Sequence, residues 1–571
     1  MPAACKAGRF VHCALHYIRL KLPSPLLLPT GDFAADVTWM RCLIPFSVFG
    51  LVSLALHVPN FETVATSNGE ITGHRSPMAS EVWEYLGIPY AQPPLGEQRF
   101  AVPKEYTSKE AASRYLRWSE PLLFINNLHG SDCPQQAAIQ PDFPGFTPQA
   151  KSILNLFTAS AGTQRSEDCL TLNIWSKPSL KSLVAKKPVF VLFHGGRFAG
   201  GNTNTPFANG QYLANNTDTI VVSVNYRLNI FGFPGGPNTD TNLGLRDQRL
   251  AVQWIQKNII AFGGDAKKIV IAGQSSGGAA VDWWSYAYPQ DPIVHGLMST
   301  SGNAFSFPLN SHAKQVENWS LVSSLVGCNN TANATTTLSC MRSIPWHTLS
   351  LAASKIPPTP GGSPVRSTPP FYPIVDNETI FSPTTYPSLA STGRFAKLPY
   401  FHGHNDNEQG YYVIPAFAQG RNVTNEQAQK FLFESFVCPV SYEARARTAA
   451  GVKSWTYRYF GDWENTRLYP TSGAYHGSEL HMILGGAEDM SGLPMEAAQK
   501  DTVTLVQSAV AAFTEDPEEG LLELGWPVFE PGRESWVQIA KGNSAGVGFV
   551  RAETYDAGCE EVVMGALQGE S

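Results

Sequence analysis

The stretch Ile269–Ala280, "IVIAGQSSGGAA", sets two serines side by side between glycine steps, directly after a β-branched run. Gly273-Gln274-Ser275-Ser276-Gly277 fits G-x-S-x-G with Ser275 at its centre. In a tight strand-to-helix turn that central residue takes a strained backbone conformation, and the positions two residues away must lack a Cβ because the turn's own neighbours crowd them. Ser275 is therefore the residue presented above a sheet, while Ser276 opens the helix with a backbone N–H that has no partner in the first turn. A bare G-x-S-x-G occurs by chance, so the flanking elements decide its meaning.

Those elements read as an α/β fold. The runs "KKPVFVLFHGG" (Lys186–Gly196), "TIVVSVNYR" (Thr219–Arg227) and "KKIVIAGQ" (Lys267–Gln274) are short, continuous and apolar, as strands buried on both faces of a parallel sheet should be. Between the last two lies "LGLRDQRLAVQWIQKNIIAFGGD", in which Leu250, Trp254, Ile255 and Ile259 recur at helical spacing before Gly263 and Gly264 stop the helix. Strand, helix, strand, then a glycine turn and a second helix make a doubly wound α/β architecture with right-handed crossovers. "FHGGRFAGG", Phe193–Gly201, follows the first strand, and its consecutive glycines let backbone N–H groups approach a substrate oxygen. Gly196 and Arg197 are the expected donors there, joined by the N–H of Ser276.

Composition narrows the classes. A chain of 571 residues, 43% hydrophobic, must bury a large core, which excludes a disordered protein. Its net charge of −6 comes without a Lys/Arg cluster, so no nucleic-acid partner is expected. Residues 1–39 show neither helical nor strand period and read as an upstream extension or a disordered segment. From Met40, "MRCLIPFSVFGLVSLALHVPNF" has one basic residue, a short apolar run to Leu56, and small residues at Ser53 and Ala55, the layout of a secretory signal peptide over residues 40–55. The alternative is an uncleaved signal anchor; no stable membrane span is expected in the mature form, because the run is short for a bilayer.

Outside the leader remain Cys133, Cys169, Cys328, Cys340, Cys438 and Cys559, an even number with no C-x-x-C pair to suggest zinc or redox chemistry. Asn-x-Ser/Thr sequons stand at Asn215, Asn318, Asn329, Asn333, Asn377 and Asn422. Both features fit an extracellular glycoprotein. The segment Pro357–Pro370, "PPTPGGSPVRSTPP", reads as a surface loop.

Several blocks together resemble the type-B carboxylesterase/lipase family, the cholinesterase-like branch of the α/β-hydrolases, in the style of its secreted fungal members. They are "YLGIPYAQPPLGEQRF" (Tyr85–Phe100), "SEDCLTLNIW" (Ser166–Trp175), "NYRLNIFGF" (Asn225–Phe233), "GQSSGG" (Gly273–Gly278), "FYPIVDNETIF" (Phe371–Phe381), "GHNDNEQGYY" (Gly403–Tyr412) and "GAYHGSEL" (Gly473–Leu480). The resemblance implies an α/β-hydrolase fold over residues 60–565, a mostly parallel sheet with helices on both faces and loop insertions around an active-site gorge. Carried over by position, the catalytic acid falls on Glu408 and the catalytic histidine on His476. The chemistry asks for both, since a serine hydroxyl is a weak nucleophile until an imidazole takes its proton and a carboxylate orients that imidazole. Asp406 is the rival acid, and Glu479 is expected to serve a helix start. The resemblance also implies the disulfides Cys133–Cys169, Cys328–Cys340 and Cys438–Cys559.

The function so implied is a secreted serine ester hydrolase acting through an acyl-enzyme on neutral small-molecule or lipid esters, with no metal and no organic cofactor. The alternatives are a tailoring esterase or lactonase of fungal secondary metabolism and, in another class, a catalytically silent binding or adhesion protein. Two departures bear on substrate. Arg197 replaces the third glycine of the oxyanion loop, so a guanidinium is expected near the acyl group or an acidic substituent. Gln274 stands where cholinesterases carry glutamate, and the Cys133–Cys169 loop has no tryptophan, so no preference for choline esters is expected. Of Trp283 and Trp284, one is expected in the core and the other is a candidate for the acyl pocket.

Overall fold

A computed structural model of the chain describes residues 62–107, 130–136, 142–159, 162–178, 185–329, 333–361 and 363–567. The expected leader at 40–55 and the extension before it lie outside the described residues. The centre of the fold is an eleven-stranded sheet: β1 (His74–Arg75), β2 (Trp83–Pro89), β3 (Thr171–Ser176), β4 (Lys187–Phe193), β5 (Ile220–Val224), β6 (Gly264–Gln274), β7 (Gly296–Thr300), β8 (Tyr400–Asn405), β9 (Ser454–Tyr459), β10 (Glu534–Ile539) and β11 (Val547–Arg551). Their spatial order is β11-β10-β9-β8-β7-β6-β4-β5-β3-β2-β1. All neighbours from β5 through to β10 run parallel, and the antiparallel strands lie at the two margins.

The three strands expected from the sequence are β4, β5 and β6, at the middle of the parallel region. Pleating sends alternate residues to opposite faces. Val189, Val191, Ile269 and Ile271 join one core with Val252, Trp254 and Ile255 of the helix Leu243–Asn258. Phe190, Leu192, Val270 and Ala272 join a second core with Val503, Val506, Val510 and Phe513 of the helix Ala497–Glu515. A strand buried on both sides needs apolar residues at every position, which is why these runs show no alternation.

Several quoted blocks meet through buried ion pairs. Arg99 bonds both carboxylate oxygens of Glu167, with Nε to Oε1 at 2.6 Å, and Arg227 does the same to Asp247, with Nη2 to Oδ1 at 2.7 Å. Removing one partner of such a pair leaves a buried charge without compensation.

Parallel strands end on one edge, and in such sheets that edge is where ligands bind. The strand ends Phe193, Gln274, Thr300 and Asn405 are brought level there by the pairings Phe193↔Gly273, Gln274↔Thr300 and Gly403↔Thr300. Disulfides join Cys133 to Cys169, Cys328 to Cys340 and Cys438 to Cys559, the pairing the family resemblance implies. Of the sequons, Asn329, Asn333, Asn377 and Asn422 are exposed and Asn215 is half-buried. Asn318 corrects the sequence expectation: it is buried in the helix His312–Leu325 and its amide donates to Pro370 O at 2.7 Å, so the folded protein offers no room for a glycan there. The Pro-rich stretch expected as a loop does carry a short antiparallel hairpin, Thr359–Pro360 with Ser367–Thr368.

Cys438 and Cys559 are 121 residues apart, so their bond removes much of the freedom of the unfolded chain. The double variant Cys438→Ser/Cys559→Ser is expected to lose about 2–5 kcal/mol of unfolding free energy in a denaturant titration; an unchanged midpoint contradicts this.

Candidate active site

Ser275 sits between β6 and the helix Ser276–Ala287 at φ 58°, ψ −121°, a conformation that L-residues rarely hold. Its N–H donates to Thr300 O at 2.8 Å and its carbonyl accepts from Ala279 N at 2.9 Å, so the strained residue is pinned at both ends. The surrounding glycines have specific causes. A Cβ on Gly273 would strike Gly277 O, one on Gly277 would strike Phe193 O, and one on Gly302 would strike Ser275 O. Gly195 lies so close that an added Cβ would meet the Gln274 side chain.

Above this turn stands His476, buried in the loop that follows β9. Its Nδ1 is 2.6 Å from Glu408 Oε2. Glu408 lies three residues beyond the end of β8, fully buried, and its second oxygen accepts Asn405 N–H at 2.7 Å. The carboxylate is thus fixed by its own strand end before it fixes the imidazole. Asp406, the rival acid, instead pairs with Arg458 at 2.8 Å and is part exposed. Among the described residues His194, His404 and His481 are also buried, and burial pulls them down to about 4, about 3 and about 3, but none of them contacts a carboxylate. His476 differs from them in having Glu408 at Nδ1.

The other ring nitrogen, Nε2, lies 3.2 Å from Gln274 Nε2 and 3.2 Å from the Tyr412 hydroxyl. Tyr412, Ser275 and His476 line the same cavity. Tyr412 was quoted above inside "NEQGYY" without being singled out, because an apolar-looking aromatic pair gives no signal for a hydroxyl placed at the reacting atoms. Phe436 and Tyr411 close round the ring of His476. Glu479 is the residue before the helix Leu480–Leu484, but its carboxylate makes no capping bond there and instead reaches under the site: Ser301 Oγ donates to it at 3.0 Å and Asn405 Nδ2 holds its other oxygen. Burial, with Glu408 close by, pushes its carboxyl above the ordinary range.

The loop expected to supply oxyanion donors follows the end of β4. Gly196, Arg197 and Phe198 follow one another at φ 106°, 59° and 54°, a left-handed stretch that turns the backbone towards Ser275. The N–H groups of Gly196, Arg197 and Ser276 donate to no protein acceptor among the described residues. Trp283 and Trp284 are both buried in the core, and neither lines the two cavities that touch Ser275. The core position expected for one tryptophan thus holds for both, and the candidate acyl-pocket role of the other finds no support. The larger cavity, about 450 Å³, is lined by Phe157, Phe207, Leu480 and Tyr411 together with Ser275 and His476, and no carboxylate among the described residues lines it. Among the described residues no cluster of His, Cys, Asp and Glu could hold a metal ion, and no helix is long and apolar enough to cross a membrane.

Comparison with known proteins gives the family of the chain. A model of the carboxylesterase family matches residues 60–435. The chain is 33% identical over 504 residues to a chlorogenic acid esterase of Aspergillus niger, covering 84% of this chain and 90% of that protein. It is 31% identical over 501 residues to secreted lipase 5 of Gibberella zeae, with the same coverage. Mouse cholinesterase matches at 35% over 286 residues, 49% of this chain and 43% of its own length.

The Gly302→Ala variant, which drives a Cβ into the Ser275 carbonyl without touching any reacting group, is expected to lose about 10²-fold in p-nitrophenyl acetate hydrolysis with its far-UV circular dichroism retained. Full activity in that variant would show that the turn tolerates displacement.

Proposed function

The chain belongs to the carboxylesterase family and is a carboxylic ester hydrolase, and from that premise we propose that it is a secreted serine esterase working through an acyl-enzyme at Ser275, His476 and Glu408. The observation that carries this reading is the bond from His476 Nδ1 to a buried Glu408, with His476 and the strained Ser275 lining one cavity. With Nδ1–H given to Glu408, Nε2 keeps its lone pair and can act as the base.

Ser275 Oγ attacks the ester carbonyl while its proton passes to Nε2. The oxygen that becomes negative is held by the N–H groups of Gly196, Arg197 and Ser276, which are fixed in place beforehand and need no reorganisation. As the tetrahedral species collapses, the C–O bond to the alcohol breaks and His476 returns the proton to the departing oxygen. Water then attacks the acyl-enzyme with the same histidine as base, freeing the acid and restoring Ser275. No step calls on a metal or an organic cofactor. Secretion is supported by the three disulfides, the exposed sequons and the secreted fungal relative.

On a p-nitrophenyl ester series, Ser275→Ala and His476→Ala are each expected to lose at least about 10³-fold in kcat, and Glu408→Gln about 10²–10⁴-fold. Ser276→Ala removes a hydroxyl but keeps the N–H, and should stay within about tenfold of wild type. A Ser275→Ala variant with wild-type turnover would falsify the reading. Because no carboxylate among the described residues lines the larger cavity, which offers Gln274 beside His476, butyrylcholine should show no higher kcat/KM than an uncharged butyrate ester; a marked preference for the cation contradicts this.

A further inference from the structure

Two cavities meet at Ser275. The larger contains His476 in its wall. The smaller, about 30 Å³, is walled by Ser275 and Ser276 together with Arg197, Arg366, Thr368 and Phe431, and His476 takes no part in it. Given Ser275 as nucleophile, this division assigns the two halves of the substrate. His476 must hand its proton to the departing alcohol, so the alcohol lies in the larger cavity and the acyl chain enters the smaller one.

The smaller wall is unusual for an acyl pocket, because two guanidinium groups and a buried hydroxyl share it. Arg366 is buried and neutralised by Glu434 at 3.0 Å, with Ser435 Oγ at 2.8 Å. Arg197 has no carboxylate within ion-pair distance among the described residues. Its Nη2 donates to the Ser367 carbonyl and, at 3.1 Å, to the hydroxyl of Ser367, a residue of the smaller wall, while Arg197 borders the larger cavity as well. Thr368 is 2% exposed, and its Oγ1 has no hydrogen-bond partner. A buried hydroxyl without a partner is costly, and the half-buried Arg197 guanidinium on the same wall carries a charge with no counter-ion among the described residues. A cavity of this size has room for about two waters or one small polar group.

We propose that the small cavity is a carboxylate subsite for the acyl group, so that the preferred substrates are half-esters of short dicarboxylic acids. The distal carboxylate fills the small cavity and accepts from N–H groups of Arg197 and from Thr368 Oγ1, while the connecting methylenes lie at its mouth beside Ser275. This deepens the serine-esterase reading and rests on it: esters with uncharged acyl groups are turned over, but an acyl group ending in a carboxylate is preferred over one of equal shape. The carboxylate takes no part in bond making, and the acyl-enzyme formed is the half-ester of Ser275.

The test compares monoethyl succinate with its near-isostere ethyl 4-methylpentanoate, reading ethanol release by the full-length secreted protein at neutral pH. The quantity is the ratio of the two kcat/KM values, from which any general effect of a variant on the oxyanion N–H groups cancels. Wild type is expected to favour the half-ester by at least about tenfold, as one charge-assisted hydrogen bond implies. Arg197→Gln should bring the ratio near one, Thr368→Val should lower it several-fold, and Arg197→Lys should keep part of it, since a point charge replaces the planar fork. A wild-type ratio at or below one, or a ratio that Arg197→Gln leaves unchanged, overturns the subsite whatever the variants do to folding. Labelling with a fluorophosphonate separates the two readings. Labelled protein that hydrolyses the isostere but disfavours the half-ester loses the subsite alone, whereas protein inert to both esters and unlabelled loses the nucleophile as well.

Discussion

Ser275 is held in a backbone conformation that its own side chain disfavours, and the strain persists because other backbone is packed against it. Gly273, Gly277 and Gly302 are the contacts through which that packing acts, each at a point where a Cβ would collide with a carbonyl group of a neighbouring segment. The segments that crowd the serine are the parts of the site. Phe193 ends β4 and starts the oxyanion loop; Thr300 ends β7 and receives the Ser275 N–H. A sheet whose parallel strands were staggered by one residue would separate these groups, so register and turn specify each other.

The electrostatics follow from burial in the same way. Two carboxylates, Glu408 and Glu479, lie under His476 out of contact with water, and they are kept apart in role by their partners. Glu408 faces the imidazole and a backbone N–H, both donors to an anion. Glu479 faces a hydroxyl and an amide, and burial first, with Glu408 nearby second, pushes its carboxyl up. Asp406 has Arg458 and solvent instead, and so takes no part in holding the histidine.

Much of the framework was legible in the sequence. The β4, β5 and β6 runs were readable because strands buried on both faces must be apolar at every position, and the helix Leu243–Asn258 because its face against the sheet repeats at helical spacing. The G-x-S-x-G turn was readable because steric exclusion leaves a glycine signature. Glu408 and His476 were not readable from pattern: they lie 133 and 201 residues beyond Ser275, on loops whose positions depend on β8 and β9, and only the family resemblance supplied them. Tyr412, the destination of the Arg197 guanidinium at Ser367, and the burial of Asn318 had no local signal at all. Each is a product of long-range packing, as is the failure of either tryptophan on the Ser276–Ala287 helix to reach the acyl pocket.

The account stands or falls on one covalent bond, that between Ser275 and the acyl or phosphonyl group. The most direct measurement is mass spectrometry of the protein after reaction with a fluorophosphonate, with peptide mapping of the adduct. One adduct per chain, on the peptide that contains Ser275 and at Ser275 within it, greatly slowed in His476→Ala, is the predicted result. An adduct on Ser276 or elsewhere, or folded wild-type protein that takes up no label, would contradict it.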